Sequence, residues 1–503
     1  MKTIYYNGDI ISFNDQDIQA VVVDGDYIID MGDYLVMEDK YPGVNHYDLN
    51  KQCLCPGFID AHSHLSSLAF SFLQVSLGNL HSLKEIKEGI DKYIVDNQIN
   101  KGEFINCMDF DDSLLINEIL DKNFLDDNFR DYLVFINHKS GHSGILNSNC
   151  LSYMNLVSDN GIINEVLYMD HVKKIPMPGF DKIIMGYQKA YDLYLSYGIT
   201  TVQDGYVVKE MLPMYQYMSN NDICKVDTIG YVDYNDLSFF NDLELNEYHH
   251  NLKIGGIKIF LDGSPQIKTA WMRDHYVGEI DNYGISTLSD ERLKEVLVYA
   301  ATNKRQVLAH CNGDKAVDQY LKIVGEVYKT YPQVIENRNV IIHSQFLQKD
   351  QLDEVVRLKM IPSFFVAHIY YFADIHIKNV GYEKAKSMSL ANSALSKNII
   401  FTFHQDSPVI LPNMLETIQS ACLRKTKTGV LLDQSENLPV LQAIKAVTLN
   451  SAYQYYEETV KGSIEVGKDA NFVVLSSNPL KVDVDKIKDI NVVHTIVKGK
   501  ELY

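Results

Sequence analysis

The sequence predicts an α/β protein with a parallel β/α barrel at its centre and a small β domain built from both chain ends. Strand-like and helix-like segments alternate through the middle of the 503-residue chain, and several strands end at a histidine or an aspartate. Such alternation is typical of parallel sheets, and a barrel keeps its active-site residues at the carboxyl ends of its strands. The competing fold, an open doubly wound sheet, usually has a glycine-rich turn after its first strand, and we find none.

The two chain ends share a pattern of short β-forming runs separated by turns. Residues 1–56 contain Asn-Gly and Asp-Gly turn pairs between such runs, and the end of the chain repeats the pattern. We therefore expect one β domain from residues 1–56 and 456–503, and a barrel over residues 57–455. The first half of the barrel region is longer than its strand-plus-helix units require, so we predict an insertion over roughly residues 70–185.

The barrel strands carry polar residues at their ends. A predicted helix with Ser289 as its N-cap precedes the strand 306–309, the strand 363–367 comes later, and the strand 399–403 comes last. The spacing between strand ends is about the length of one strand-plus-helix unit. The polar residues at these ends are His310, His343, His368 and the pair His404 and Asp406.

Composition and charge limit the class of partner. Hydrophobic residues make up 46% of the chain, which permits a large core, and 66 acidic against 46 basic residues give a net charge of −20. Such a charge repels phosphate backbones and anionic lipid, so we expect neither nucleic acid nor membrane as a partner. Seven cysteines without a CxxC pair do not describe a disulfide framework, and we find no secretory leader or long apolar run. We expect a cytoplasmic protein with a small-molecule substrate, and self-association into a homo-oligomer stays open.

The motif PGFIDAHSH at residues 56–64 is the strongest single signal of chemistry. Alternate residues of a strand point to the same face, so His62 and His64 would converge on one point and suit zinc or a similar divalent ion. Alone, the pair is equally consistent with two surface histidines. His310, His343 and Asp406 are expected at the same rim of the barrel, and together the five residues favour a metal site.

Lys258 is unusual because it alternates with apolar neighbours in IKIFLDG. This pattern places its side chain inside the barrel, where an unpaired ammonium is costly. Such a lysine is paired, neutral, modified or close to a metal. The structural alternative is a salt bridge to Asp262 or Asp406.

Taken together, the motifs resemble the amidohydrolase superfamily, and in particular the family 3 branch that includes N-substituted formamide deformylases. The resemblance extends over nearly the whole chain. The matching segments are PGFIDAHSH, GITTVQDG at 198–205, KIFLDGS at 258–264, LAHCNGD around His310, VIIHSQ around His343, HQDSPV around Asp406 and KGSIEVGKDA at 461–470.

The resemblance implies a fold and a set of metal ligands. The fold is a distorted (β/α)8 TIM-like barrel with a small β-sandwich formed from both chain termini. The cofactor is one or two divalent ions, most simply zinc, with Lys258 carbamylated as a bridging ligand. The ligands it implies are His62 and His64 after strand 1, Lys258 after strand 4, His310 and His343 after strands 5 and 6, and Asp406 after strand 8.

The resemblance also implies a reaction. We expect hydrolysis of a carbon–nitrogen bond in a linear, non-peptide amide, an N-acyl or N-formyl amine, by a metal-bound hydroxide with Asp406 as the general base. Ring deaminases of the superfamily typically carry HxxE at the strand-5 histidine, whereas position 313 is Gly here. Hydrolysis of a cyclic amide or an ester on the same metals, and a metal-free scaffold that has kept the fold, stay open.

Other polar residues are weaker candidates. His142 lies in the predicted insertion and is a candidate for substrate contact. His368 and His404 are candidates for binding the substrate or supporting the ligands. Asp204 and Asp262 are candidates for orienting neighbours, although Asp-Gly pairs also simply form turns.

Overall fold

The computed structural model describes residues 2–13, 17–140, 142–235, 237 and 247–503. The chain forms two compact units, one from Met1–Leu65 with Tyr191–Tyr503 and one from Ser66–Ala190. No helix in the described ranges is long and apolar enough to cross a membrane.

The strands follow the chain in order. They are β1 (Lys2–Tyr6), β2 (Asp9–Ile10), β3 (Ala20–Asp24), β4 (Tyr27–Gly32), β5 (Asn45–Asp48), β6 (Cys53–Pro56), β7 (Phe58–Ile59), β8 (Val75–Ser76), β9 (Phe104–Phe110), β10 (Leu133–His138), β11 (Ser143–Leu146), β12 (Ile162–Asn164), β13 (Ile199–Val207), β14 (Asp227–Asp233), β15 (Leu252–Phe260), β16 (Gln306–Cys311), β17 (Val340–His343), β18 (Ile361–Phe364), β19 (Thr402–Phe403), β20 (Phe472–Leu475), β21 (Val492–Val497) and β22 (Lys500–Glu501).

The α-helices lie between these strands. They are α1 (Tyr34–Lys40), α2 (Leu65–Ser71), α3 (Leu83–Asp96), α4 (Lys122–Phe129), α5 (Ser148–Tyr153), α6 (Glu165–Val172), α7 (Phe180–Ser196), α8 (Leu212–Asn220), α9 (Asp290–Asn303), α10 (Asp314–Tyr328), α11 (Leu352–Arg357), α12 (His368–Val380), α13 (Tyr382–Ala385), α14 (Ala391–Ser396), α15 (Met414–Leu423), α16 (Val440–Ala446) and α17 (Leu449–Gln454).

The centre of the first unit is a curled parallel sheet of the TIM-like kind, which confirms the mixed α/β class. Its strand order is β19-β18-β17-β16-β15-β14-β13-β7. Its strands are apolar and buried on both faces, as in β17, because helices cover such a sheet. Since its strands are parallel, their carboxyl ends share one edge, and two backbone hydrogen bonds join the segments after β7 and β19 there. These run from His64 N to Ser407 O at 2.8 Å and from Asp406 N to His62 O at 3.1 Å.

Two further sheets in this unit are built from the chain ends, the first from N-terminal strands alone and the second from strands of both ends. One has the order β4-β3-β1-β5, and the other has the order β2-β6-β20-β21-β22. One apolar cluster joins them: Tyr5 and Val21 of the first sheet belong to the same buried cluster as Phe472 and Ile496 of the second. Strands from the beginning and the end of the chain therefore share a core.

The second unit, Ser66–Ala190, has its own sheet with the order β12-β11-β10-β9-β8. One face of β9 and β10 packs in a cluster with α3 and α4 that includes Ile105 and Val134. The opposite face contributes Phe135 to a cluster with residues of α5 and α6. In the chain this unit stands between β7 and β13, two strands that pair directly with each other.

Several predicted elements are confirmed, and two strands are shorter than predicted. His310 and His343 lie at the ends of β16 and β17, and Ser289 caps α9 by accepting a hydrogen bond from Arg292 N at 3.2 Å. The strand predicted over 399–403 is reduced to β19, Thr402–Phe403. The strand predicted over 363–367 instead ends at Phe364, and His368 begins α12. Every residue of the run 363–367 is buried, so its pattern has no period that distinguishes a strand from a helix.

Candidate metal centre

His62, His64 and Asp406 form the centre of the site. One ligand atom of each lies within 4.8 Å of the others. Asp406 Oδ1 lies 3.4 Å from His62 Nε2 and 3.3 Å from His64 Nε2. This carboxylate oxygen is buried, and no described residue donates a hydrogen bond to it. Two imidazole nitrogens and an unpartnered carboxylate oxygen that point at one place are a donor set that fits a divalent cation.

The loops after β7 and β19 bring these groups together. β7 ends at Ile59, so the prediction that His62 and His64 align within a strand is wrong: they lie in the loop that follows it. Backbone hydrogen bonds hold this loop in place. One runs from Gly205 N to Ser63 O at 2.7 Å, and two more join the loop to the segment that contains Asp406. Gly205 also leaves room for an imidazole, because a Cβ there would lie 2.3 Å from Cε1 of His62.

Lys258 lies beside these ligands, fully buried in β15. Its Nζ is 3.1 Å from His62 Nε2. Burial lowers the pKa of Lys258 to about 8, because the ammonium form loses its hydration. The ion pairs among the described residues do not include Lys258, so the structural alternative, a salt bridge to Asp262 or Asp406, is not formed.

Three more histidines surround the same point. The His343 ring centre lies 5.6 Å from that of His62, 4.6 Å from that of His310 and 5.2 Å from that of His404. Burial lowers the pKa of His343 and of His62 well below the ordinary value and that of His404 to about 3. Neutral imidazoles keep a free nitrogen lone pair, which is the form that binds metals.

Asp406 is ionised in this environment. Burial opposes its ionisation, but the nearby His343, His64 and His62 hold its pKa well below the usual range. Its backbone adopts a φ of 55° in the left-handed region, and His343 adopts 69°. Non-glycine residues in this region often mark functional sites.

Gln203 on β13 is a site residue that the sequence analysis missed. His62 Nδ1 donates to Gln203 Oε1 at 2.6 Å, and Gln203 Nε2 donates to Ala61 O and to Tyr455 Oη, each at 2.8 Å. The last two bonds fix the amide so that its oxygen faces His62. His62 Nε2 is thereby turned toward Asp406 and Lys258. The motif GITTVQDG contained Gln203, but its partner Tyr455 is too distant in sequence to signal the contact.

Asp262 holds His310. Its Oδ1 accepts from His310 Nδ1 at 3.0 Å, and its carboxylate also accepts from the backbone N–H of Asn312 and, at 2.7 Å, of Gly313. These contacts favour the interpretation that Asp262 orients its neighbours over the alternative that its Asp-Gly pair only forms a turn.

The remaining candidates differ in where they lie. His404 contacts a predicted ligand, with its Nε2 at 3.1 Å from His343 Nδ1, and its Nδ1 lies 2.8 Å from Ser363 Oγ. His368 is buried against Phe365 and His376, and none of its described contacts is to a predicted metal ligand. His142 belongs to the second unit, where its exposed side chain lies 3.2 Å from Glu165.

Comparison with known proteins assigns this chain to a family. A sequence model described as amidohydrolase family matches residues 46–503. The putative amidohydrolase YtcJ of Bacillus subtilis (strain 168) is 25% identical over all of this chain and 99% of its own. The N-substituted formamide deformylase of Arthrobacter pascens is 21% identical over 96% of this chain and 94% of its own.

Solved structures show the same architecture. An uncharacterized metal-dependent hydrolase from Pyrococcus horikoshii OT3 has a TM-score of 0.80 and 25% identity, over 96% of this chain and 99% of that one. Its counterpart from Pyrococcus furiosus has a TM-score of 0.79 and 24% identity, over 96% and 100%. These relatives support a hydrolase that uses a divalent metal, and the chain belongs to the amidohydrolase family.

Proposed function

We propose that this protein is a metal-dependent hydrolase that cleaves the carbon–nitrogen bond of a linear, non-peptide amide, an N-acyl or N-formyl amine. The observation that carries this proposal is the unpartnered, buried Asp406 Oδ1 between the Nε2 atoms of His62 and His64. The similarity over the full chain to an N-substituted formamide deformylase supports the substrate class.

The donor set supports a nitrogen-rich site of the kind zinc prefers. His62, His64 and Asp406 would hold the first ion, and His310 and His343 would hold a second. Lys258 would be carbamylated and bridge the two, since its lowered pKa makes the neutral amine that captures CO2 accessible near neutral pH. When bound, a divalent cation supplies Lewis-acid polarisation of the carbonyl and makes water more acidic.

The chain's own residues then hold and move the proton. Asp406 Oδ1 is the proton acceptor, because it is ionised and no described donor occupies it. It would pass the proton to the leaving amine. Gln203 and Asp262 keep the Nδ1 atoms of His62 and His310 engaged, so that the Nε2 atoms face the site.

The environment of Gly313 supports hydrolysis of an open amide over deamination of a ring. A Cβ at Gly313 would lie 1.9 Å from the backbone oxygen of Trp271, so this backbone has no room there for a glutamate. The acid that ring deaminases typically carry three residues after the strand-5 histidine is therefore sterically excluded.

We also propose that the sheets assemble as in other members of the family. The apolar cluster shared by the two terminal sheets supports a β-sandwich. The hydrogen bonds between the segments after β7 and β19 support a closed (β/α)8 barrel. The direct pairing of β7 with β13 supports residues Ser66–Ala190 as an insertion into the barrel.

Metal analysis and a substrate screen test the function. The purified protein is analysed for metal, stripped with a chelator, and assayed on N-formyl and N-acyl amines before and after zinc is restored. We expect turnover that chelation abolishes and zinc restores. Turnover confined to lactams or esters would contradict the substrate class, and a protein without metal or zinc-restored activity would contradict the reaction.

A further inference from the structure

The second unit contains a cavity that the metal site does not use. It measures about 750 Å³, and every residue that lines it lies between Phe70 and Met185. A volume of this size is in the range of about 300–1,000 Å³ that is typical of small-molecule sites. The cavity therefore has the dimensions of a second binding pocket.

The cavity lies over one face of the sheet in this unit. Phe104, Asn106 and Met108 alternate along β9, and Leu133 and Asn137 alternate along β10, so all five side chains share that face. Ile105 and Cys107 of β9 and Val134 and Ile136 of β10 point to the other face and pack against α3 and α4. One side of the sheet is thus fully covered, and the other is left partly open.

The lining is mainly apolar, and its charges are peripheral. Of its charged residues, Glu103 and Lys182 pair with each other at 2.7 Å and Asp181 is exposed. At the margin, Met177 is 72% exposed and Phe180 is 45% exposed. A lining of this kind favours an uncharged ligand with an apolar body.

One polar group in the floor of the cavity lacks a partner. Asn137 Nδ2 donates to Cys107 O at 2.8 Å and to Asn106 Oδ1 at 2.7 Å, and Asn137 Oδ1 accepts from Tyr168 Oη at 3.0 Å. Because Cys107 O can only accept, the Asn137 amide has one orientation, and so does the Asn106 amide beside it. The Asn106 Nδ2 donors are consequently left facing the cavity, and no described residue accepts from them.

We infer that this cavity binds an uncharged small molecule that combines an apolar chain or ring with a carbonyl oxygen, which accepts a hydrogen bond from Asn106 Nδ2. Its apolar body would lie against the side chains of Phe104, Met108 and Leu133. A polar donor in a mainly apolar pocket selects for its acceptor, because an apolar ligand without one would leave the donor unpaired.

Calorimetric titration of the full-length protein with decanamide tests this inference. Decanamide has an apolar chain and a carbonyl oxygen. We expect one molecule to bind per chain. Met108→Trp should weaken binding by about tenfold or more, because the larger ring takes up space where the apolar body would lie. Val157→Trp, which inserts the same ring at a site that is 94% exposed, should not weaken it. Asn106→Leu should weaken binding by about tenfold, the value of one hydrogen bond.

The metal site is a separate place where decanamide could bind, so the titration is repeated with His62→Ala. We expect this variant to bind decanamide as the unchanged protein does. Thermal unfolding of each variant shows whether it has folded. The inference is overturned if the unchanged protein does not bind decanamide, if a folded Met108→Trp binds it as tightly as the unchanged protein, if Asn106→Leu binds it equally well, or if His62→Ala loses it.

Discussion

The backbone at Asp406 shows how single residues shape this site. Asp406 and His343 both have a positive φ. The Asp406 carboxylate lies 3.4 Å from His62 and 3.3 Å from His64, and the His343 ring centre lies 5.6 Å from that of His62. Aspartate and histidine tolerate this conformation better than bulkier or β-branched residues do. The chemistry of the site thus depends on two residue types that suit both the backbone and the ligand role.

Substitution of Asp406 by asparagine separates its ligand role from its proton-accepting role. Asp406→Asn keeps an oxygen but cannot take up the proton, so we expect kcat to fall by about 10²–10⁴-fold with metal partly retained. Steady-state rates and metal content measure the two effects. Asp281→Asn, at an exposed position, is the matched control. Near-normal turnover in Asp406→Asn would show that another group accepts the proton.

Gln203 is a positioning residue whose effect should be seen in metal affinity. Gln203→Met keeps the volume but removes the oxygen that fixes His62 Nδ1, and the loss of such partners typically costs about 10–100-fold in affinity. Competition with a chelator for zinc measures this. Gln188→Met, on an exposed position of α7, should leave affinity unchanged. Equal affinities in a folded Gln203→Met protein would rule out the positioning role.

At the scale of elements, α9 is specified by the residues at its N-terminus. Ser289 accepts from Arg292 N, and Asp290 and Glu291 lie in the first turn, where the positive end of the helix dipole favours carboxylates. Five residues of this helix that include Leu293, Val296 and Leu297 are buried on one face. The capping residues and the buried apolar face therefore both favour a helix at this place.

Loss of the cap on α9 should lower stability by a measurable amount. Ser289→Ala leaves backbone N–H groups of the first turn without an acceptor, and we expect the free energy of unfolding to fall by about 1 kcal/mol. Denaturant unfolding measures the difference. Ser289→Asp supplies a carboxylate oxygen instead and should retain the stability. A fall of equal size in both variants would mean that the cap is not the cause.

At the scale of the whole first unit, buried charges tie the C-terminal segment to the amino ends of the barrel strands. Lys461 pairs with Asp227 at the start of β14 and with Glu457 at 3.0 Å, and Lys498 pairs with Asp227 at 3.0 Å. The neighbouring carboxylates raise the pKa of Lys461 against the effect of burial, so the ammonium is charged. This network joins parts of the chain more than two hundred residues apart.

Removal of Lys461 should destabilise this unit strongly. Lys461→Met leaves Asp227 and Glu457 buried with one cation fewer, and breaking such a pair costs about 3–5 kcal/mol. We expect a value near the lower end, because Lys498 still pairs with Asp227. Lys486→Met, at an exposed position, is the control. Denaturant unfolding that shows equal stability for the two variants would contradict a structural role for the network.

The sequence is sufficient to predict the strand-and-helix alternation, the cap on α9 and the motifs that carry His62, His64, Lys258, His310, His343 and Asp406. These follow from local periodicity and residue chemistry, which neighbouring residues encode. It did not determine that β18 ends before His368, since an apolar run buried on all sides has no period that separates strand from helix.

How the site residues are held together depends on contacts between distant parts of the chain. His62 and His64 converge because the loop after β7 is bonded to the loop after β19, not because a strand aligns them. Gln203 faces His62 because Tyr455 holds its amide, a contact between residues 252 positions apart. Such contacts depend on how the chain closes on itself, and no short stretch of sequence contains both partners, so local patterns cannot predict them.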